Sequence, residues 1–306
     1  MPMVYLWVFG TLAAGIVLAV VWQLVRGRHA AFPLGPVAGF TLAAGLLALV
    51  GEVATRLMDV SSFLLPFELP PSIGLWYRDY HFTVSLLLGI LGVALLAFPV
   101  RAHRGRGTAE LARRSLMSFA RARWFIVPGI VLALTLTLTL LAGAASQPDM
   151  ATGRYTAYTV DVGRGVSMGT NIYGWFYSVP AMISLGVLLA VALVGMSLVA
   201  RPALAEDRDE DVRVRTLRTR NIVVASTGVL LLHLGDIFSS LAGAASMRST
   251  ISTSEGPVSF WTTFSALQPA LVVASLLCAA LGVAAWTVVA LSAVPSRRRV
   301  PVAVES

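Results

Sequence analysis

The sequence predicts an all-α membrane protein, with about seven transmembrane helices forming one integral membrane domain over residues 1–306. Its composition carries the first part of this prediction. Of 306 residues, 57% are hydrophobic and only 12% are charged, whereas soluble domains carry about a quarter charged residues. The mean hydropathy is +0.80. Together these values exclude a water-soluble globule, because so few charged residues are left to face water.

Apolar runs of membrane-crossing length carry the second part of the prediction. A helix needs about 20 apolar residues to cross a bilayer, and seven runs of this kind lie near residues 4–25, 34–55, 82–100, 124–145, 178–200, 221–246 and 262–294. The first run has no charged residue before it and has Arg26 and Arg28 directly after it. This order is the reverse of a cleavable signal peptide. We therefore expect the run to stay as an anchor with its N-terminus outside.

The basic residues predict the orientation of the chain. All 23 are arginines: eighteen follow the first, third, fifth or seventh run, and five lie in the alternate loops. Because arginine-rich loops stay in the cytoplasm, we expect the N-terminus outside and the C-terminus inside. The net charge of +8 then reflects topology, so the expected partner is the lipid bilayer and not a nucleic acid. The alanine-, glycine- and arginine-rich composition favours a bacterial cytoplasmic membrane.

A repeated segment suggests an internal repeat of helical hairpins. Leu-Ala-Gly-Ala-Ala-Ser stands at 141–146 and again at 241–246. Each copy ends a run that begins after Arg-x-Arg, and each is followed by an outer loop and a returning helix with a proline near its start, Pro180 or Pro269. Such repeats are common in transporters. The alternative is that leucine, alanine and glycine recur by chance in a chain rich in all three.

Two outer segments differ in character. Residues 56–81 combine three prolines with aromatic residues, which predicts an ordered loop whose rings lie at the level of the lipid headgroups. Residues 146–177 alternate apolar and polar side chains on both sides of Gly163-Arg-Gly165, which predicts a small external β-hairpin.

Two cytoplasmic segments carry charge. Residues 101–123 interleave apolar side chains with arginines and predict an amphipathic helix lying on anionic lipid. Residues 206–211 are nearly all acidic and predict a solvated loop. The alternative for both segments is a docking site for other membrane or cytoplasmic subunits.

Ionisable residues inside the runs are the candidates for function, because burying a charge in hydrocarbon costs a few kcal/mol or more. His233 and Asp236 lie three residues apart and share a helix face. Glu52 has Arg56 one turn beyond it, so the two can neutralise each other. His81 lies at the outer mouth of the third span. We predict one polar site from these five residues if spans 2, 3 and 6 are neighbours; the alternative is a structural hydrogen bond from His233 to Asp236 or to a neighbouring helix.

Several cofactors and reactions are not expected. The chain has no lysine to bind retinal, and only one of its four histidines lies inside a run, whereas bis-histidine haem needs two at matching depth. It lacks the motifs of intramembrane zinc proteases and the P-loop of ATPases. Cys278 stands alone and cannot form an intrachain disulfide. We therefore predict no cofactor, no metal site and no catalytic residue.

The sequence supports two classes of function and, less well, a third. Repeated hairpins together with intramembrane charges favour a transport component, either a small carrier or the membrane subunit of a larger transporter. The alternative is a structural or sensory subunit of a membrane complex that does not transport. A membrane-embedded enzyme using His233 and Asp236 has the least support, because a single acid–base pair lacks a nucleophile or a metal.

Overall fold

The computed structural model describes residues 2–25, 35–60, 70–99, 119–163, 166–200, 208–253 and 256–294. Seven α-helices lie within these residues: α1 Pro2–Val25, α2 Pro36–Asp59, α3 Pro71–Leu96, α4 Ile126–Ala145, α5 Trp175–Ala200, α6 Arg208–Ala245 and α7 Gln268–Ser292. Single turns of 3₁₀-helix precede α4 and α7, at Ala122–Phe125 and Ser265–Leu267.

The helices have the character of a membrane bundle. Six of those described, α2 to α7, are long and apolar enough to cross a bilayer. In α1 the apolar stretch with described side chains is shorter, Phe9–Val25. Large apolar side chains cover much of the outer surface, as lipid contact requires. The chain is therefore a multi-pass, all-α membrane protein, and seven crossings remain a prediction.

Helix α3 begins eleven residues earlier than the span predicted from residue 82. The predicted outer loop over 56–81 is therefore wrong at both ends: α2 continues to Asp59, and the aromatic residues Trp76, Tyr77 and Tyr80 lie on α3. Pro71 is the first helical residue, a position where its fixed φ favours a helix and its missing N–H is no loss. The predicted span began after the polar residues 78–81, because they are not apolar, whereas the helix includes them.

Helix α6 also starts before its predicted span and has 38 residues. Asp209, Glu210 and Asp211 form its first turn, so the solvated loop predicted over 206–211 is wrong for this part. Carboxylates are favourable at a helix N-terminus because they oppose the helix dipole. The remaining residues of that run, and most of the amphipathic helix predicted over 101–123, lie outside the described residues.

Two antiparallel β-hairpins connect the helices. The predicted one is present as β2 Tyr155–Gly163 and β3 Val166–Asn171, joined at its edge by the short β1 Gln147–Pro148. The second, β4 Arg248–Thr253 and β5 Gly256–Trp261, was missed. It lies between the predicted spans 221–246 and 262–294, and the last helix begins six residues later than predicted, at Gln268. The two hairpins are neighbours, since the Tyr158 hydroxyl lies 2.8 Å from Thr263 Oγ1. We call the end of the bundle that carries them the hairpin end.

The two helix pairs with the repeated segment share a local feature but pack differently. Ser146 Oγ donates to the Gly143 carbonyl oxygen at 2.6 Å, and Ser246 Oγ donates to that of Gly243 at 2.7 Å. Helices α6 and α7 nevertheless pack closely along their length, whereas α4 and α5 touch little and α5 packs mainly on α3. A Cβ built on Gly282 of α7 would lie 2.7 Å from Leu232 Cγ of α6. The shared segment is thus associated with the same ending of α4 and α6, and not with the same packing of the two helix pairs.

The opposite end of the bundle, which we call the arginine end, is held by two arginines of α6, the buried Arg215 and the half-buried Arg218. Arg215 donates to the Val199 carbonyl oxygen at 2.5 Å and pairs with Asp211 at 2.7 Å. Arg218 donates to the Ala97 carbonyl oxygen at 2.7 Å. These bonds satisfy carbonyl groups at the C-terminal ends of α5 and α3, which have no partner within their own helices.

Candidate functional site

A polar pocket lies toward the hairpin end, between α2, α3, α6 and α7, with α1 at one side. Its volume is about 160 Å³. We call it the inner pocket. It is lined by hydroxyl, carboxylate, imidazole and guanidinium groups together with a few apolar side chains. The polar residues of this lining are Thr11, Glu52, Thr55, Arg56, Asp59, Tyr77, His81, Ser85, Asp236, Ser239 and Ser275.

The structure brings four of the five predicted residues to this pocket: Glu52, Arg56, His81 and Asp236. The predicted pairing of Glu52 with Arg56 is confirmed. Arg56 donates through two nitrogens to Glu52 Oε1, at 2.6 and 2.9 Å, and it also donates to the Thr11 hydroxyl. Because this carboxylate and this guanidinium neutralise each other, they contribute no net charge to the pocket.

Asp236 differs from Glu52 because it has no such partner. It lies nine residues before the end of α6, is half-buried, and lines the inner pocket. Among the described residues, no side chain or backbone group hydrogen-bonds to its carboxylate, and no arginine forms an ion pair with it. An ionised carboxylate in such a place is costly unless water or a ligand completes its hydrogen bonds.

His233 is not part of the inner pocket. Its side chain is buried, with Nε2 3.3 Å from the Tyr173 hydroxyl, and Nδ1 has no hydrogen-bond partner among the described residues. The ring packs edge-on against Phe82. The predicted hydrogen bond from His233 to Asp236 is therefore wrong: the two side chains share a helix face, but His233 packs against Tyr173 while Asp236 lines the pocket.

The His81 side chain lines the inner pocket and packs against neighbouring aromatic rings. Its Nδ1 lies 2.9 Å from the Arg78 carbonyl oxygen. Since a carbonyl oxygen can only accept, Nδ1 carries the hydrogen. Ring centroids of Phe82, Tyr177 and Tyr77 lie 4.0, 5.8 and 6.0 Å away. This packing fixes the orientation of the imidazole.

Several lining residues were missed by the sequence reasoning, although a signal was present. Asp59 follows Arg56 by three residues and Glu52 by seven, which places all three on one face of α2. Tyr77 precedes His81 by four residues on α3 in the same way, and its hydroxyl donates to the Thr55 carbonyl oxygen at 3.0 Å. These residues were missed because the ends of both helices had been assigned to a loop.

A second, larger cavity adjoins the inner pocket at the hairpin end. Its volume is about 660 Å³, and it shares Asp59, His81, Asp236 and Ser239 with the inner pocket. We call it the outer cavity. The shared residues make the outer cavity the approach to Asp236 from the hairpin end.

An exposed ion pair lies at the wall of the outer cavity. Arg154, just before β2, donates to Asp79 Oδ2 of α3 at 2.7 Å, and its guanidinium lies 4.5 Å from the centre of the Phe176 ring. The hydrogen bond to Asp79 raises the pKa of the Arg154 guanidinium further above its usual value, so this side chain is charged at any physiological pH. These contacts connect the first β-hairpin to α3 beside the cavity.

Carboxylates outnumber guanidinium groups in the described lining of both cavities. The inner pocket has three carboxylates and one guanidinium, and the outer cavity has four carboxylates and two guanidinium groups. If every carboxylate is counted as ionised and histidine as neutral, the formal charge of each lining is −2. The described residues contain no group of three or more His, Cys, Asp or Glu side chains that could hold a metal ion. The arrangement can hold a polar or cationic solute.

Comparisons with family models, with curated proteins and with solved structures find no match to this chain.

Proposed function

We propose that this protein is a transport component of a bacterial cytoplasmic membrane, and that its solute occupies the inner pocket. The proposal covers a small carrier or the membrane subunit of a larger transporter. One observation carries it: the Asp236 carboxylate has no hydrogen-bond or ion-pair partner among the described residues, and it lines both the inner pocket and the outer cavity. Ionisable residues within a membrane domain are retained for solute or ion pathways far more often than for stability.

We further propose that the hairpin end faces outward, with seven crossings, the N-terminus outside and the C-terminus inside. The eighteen arginines assigned to the cytoplasm by the positive-inside rule support this orientation. Arg215 and Arg218 belong to that set and lie at the arginine end. The outer cavity would then open to the exterior, and a solute would reach Asp236 from outside.

One alternative also has an observation in its favour, namely a structural or sensory subunit that does not transport. A subunit that does not transport would use the paired β-hairpins as a contact surface, and exposed residues such as Met150, Tyr155 and Trp261 suit that use. Such a subunit would copurify with other polypeptides, whereas a carrier is stable alone. Transport remains the better proposal because a contact surface does not require a polar pocket deep in the bundle.

The proposal predicts that the inner pocket can be reached from both sides of the membrane. Ser239 lines both cavities, so we would introduce Ser239→Cys after replacing the native thiol by Cys278→Ala. Right-side-out and inverted vesicles would be treated with an impermeant thiol reagent. We expect labelling in both preparations, because a transport component exposes its solute site to each side in turn.

Two matched variants control the sidedness. Ser167→Cys on β3 should react only in right-side-out vesicles, and Arg213→Cys on α6 should react only in inverted ones. Labelling of Ser239→Cys from the outside alone would contradict transport and favour the subunit. The opposite pattern for the two controls would overturn the proposed orientation.

A further inference from the structure

We infer that the occupant of the inner pocket is a small organic cation, such as a protonated alkylamine, with Asp236 as its counter-ion. This inference rests on the proposed function, since it names the class of solute that the proposed transport component would take. Four features support it: the charge of the pocket lining, the available hydrogen-bond acceptors, the size of the pocket and the charge of the outer cavity.

The charge of the pocket favours a cation. The guanidinium of Arg56 is already held by Glu52 at 2.6 Å and by the Thr11 hydroxyl, so the pocket offers no free positive charge to an anion. Asp236 remains without a partner among the described residues, and Asp59 lines the same wall. A cation bound here would remove the cost of an isolated carboxylate.

The hydrogen-bonding groups suit an ammonium group. An ammonium group has three donors and no acceptor. Near Asp236 the lining offers the hydroxyl oxygens of Ser239 and Ser275 beside its carboxylate, so acceptors are plentiful. The Tyr77 and His81 rings lie on α3 across from α6, and aromatic faces stabilise organic cations by cation–π contact.

Size separates an organic cation from a bare ion or a large solute. A cavity of about 150 Å³ is enough to hold a molecule of the size of benzene, and the inner pocket measures about 160 Å³. A metal ion would need several ligands at fixed distances, and the described residues contain no group of three or more His, Cys, Asp or Glu side chains that could hold one. The pocket therefore fits a solute of about six non-hydrogen atoms.

The charged residues of the outer cavity also favour a cation over an anion. Its described carboxylates outnumber its guanidinium groups, and Arg154 is already paired with Asp79 at 2.7 Å. Clefts lined by one sign of charge raise the local concentration of ions of the opposite sign. A cation would be attracted through the outer cavity before it reaches Asp236, and an anion would be repelled along the same path.

The charge of thiol reagents tests the inference without knowledge of the natural solute. Ser239→Cys in the Cys278→Ala background would be treated with trimethylammonioethyl methanethiosulfonate, which is cationic, and with sulfonatoethyl methanethiosulfonate, which is anionic. For each cysteine variant we would take the ratio of the reaction rate with the cationic reagent to that with the anionic reagent. The ratio at Ser239→Cys would then be divided by the ratio at the exposed Ser167→Cys. We expect the cation to be favoured at least about tenfold, because charges within a protein interact more strongly than in water.

Asp236→Asn removes the charge at nearly constant volume and should lower that ratio about tenfold. Asp209→Asn, at the far end of α6, makes the same chemical change and should leave the ratio unchanged. If Asp236→Asn does not yield folded protein, the ratio of the parent Ser239→Cys protein still decides the charge selectivity. Protection against labelling by n-butylammonium, but not by the uncharged 1-butanol, would support the same conclusion independently.

The outcomes separate this inference from the proposed function. Equal reactivity of Ser239→Cys with both reagents would overturn the cation assignment while leaving transport in place. Faster reaction with the anionic reagent would overturn it in the same way. An unchanged ratio in Asp236→Asn would overturn the role of Asp236. No reaction with either reagent in either vesicle orientation would overturn both the inference and the proposed function.

Discussion

Arg215 at the arginine end and Asp236 at the hairpin end are ionisable residues in opposite situations. At the arginine end, Arg215 is tied to Asp211 and to the Val199 carbonyl oxygen, and Arg218 to that of Ala97. At the hairpin end, the Asp236 carboxylate has no partner among the described residues and faces a cavity. A charge with its partners in place stabilises the fold, whereas a charge without them indicates a place for a ligand. Substitutions at the two ends should therefore have different consequences.

The largest loss of stability is expected at the arginine end. Arg215→Ala would remove the guanidinium that donates to the Asp211 carboxylate and to the Val199 carbonyl oxygen, so the free energy of unfolding should fall by about 2 kcal/mol. Denaturation of the purified protein in detergent, followed by circular dichroism, measures the change. Arg213→Ala is the control: it makes the same substitution two residues away on an exposed position and should stay within about 0.5 kcal/mol. Equal losses in both variants would remove the distinction between buried and exposed arginines.

A smaller effect is expected at the exposed ion pair beside the outer cavity. Asp79→Asn removes the partner of Arg154, and because exposed pairs contribute little to stability, the midpoint of unfolding should hardly move. When Asp79→Asn is combined with Ser239→Cys, the introduced thiol should react somewhat faster with the thiol reagents, because Arg154 no longer holds the first β-hairpin to α3. High salt should give the parent protein the same small increase, because salt screens exposed charges. A large loss of stability would show that the pair is part of the core structure.

Much of the fold could be predicted from the sequence because hydrophobic length is a strong signal in a membrane protein. Each of the seven predicted runs overlaps one of the described helices. Helix beginnings were less predictable: α3 and α6 extend into polar residues that a hydropathy criterion excludes. The second β-hairpin was missed because its strands are short, β4 is rich in serine and threonine and β5 begins with Gly-Pro, a composition that also suits a loop.

The candidate site was predictable only in part, and the reason is geometric. Spacing along one helix is enough to pair Glu52 with Arg56, four residues apart. The same kind of spacing left two alternatives for His233, a hydrogen bond to Asp236 or to a neighbouring helix. The first is wrong, because His233 contacts Tyr173, which lies just before α5. Tyr173, which contacts His233, lies sixty residues away in the sequence. No helix periodicity could have identified that contact.

The most direct test of the contrast between the two ends is the stability of Asp236→Asn measured beside Arg215→Ala in the same detergent. We expect the free energy of unfolding of Asp236→Asn to lie within about 0.5 kcal/mol of that of the parent protein, or above it, because the substitution breaks no hydrogen bond among the described residues and removes a carboxylate that is costly to bury. A loss of about 2 kcal/mol, equal to that of Arg215→Ala, would mean that Asp236 holds the fold together and is not kept free for a solute.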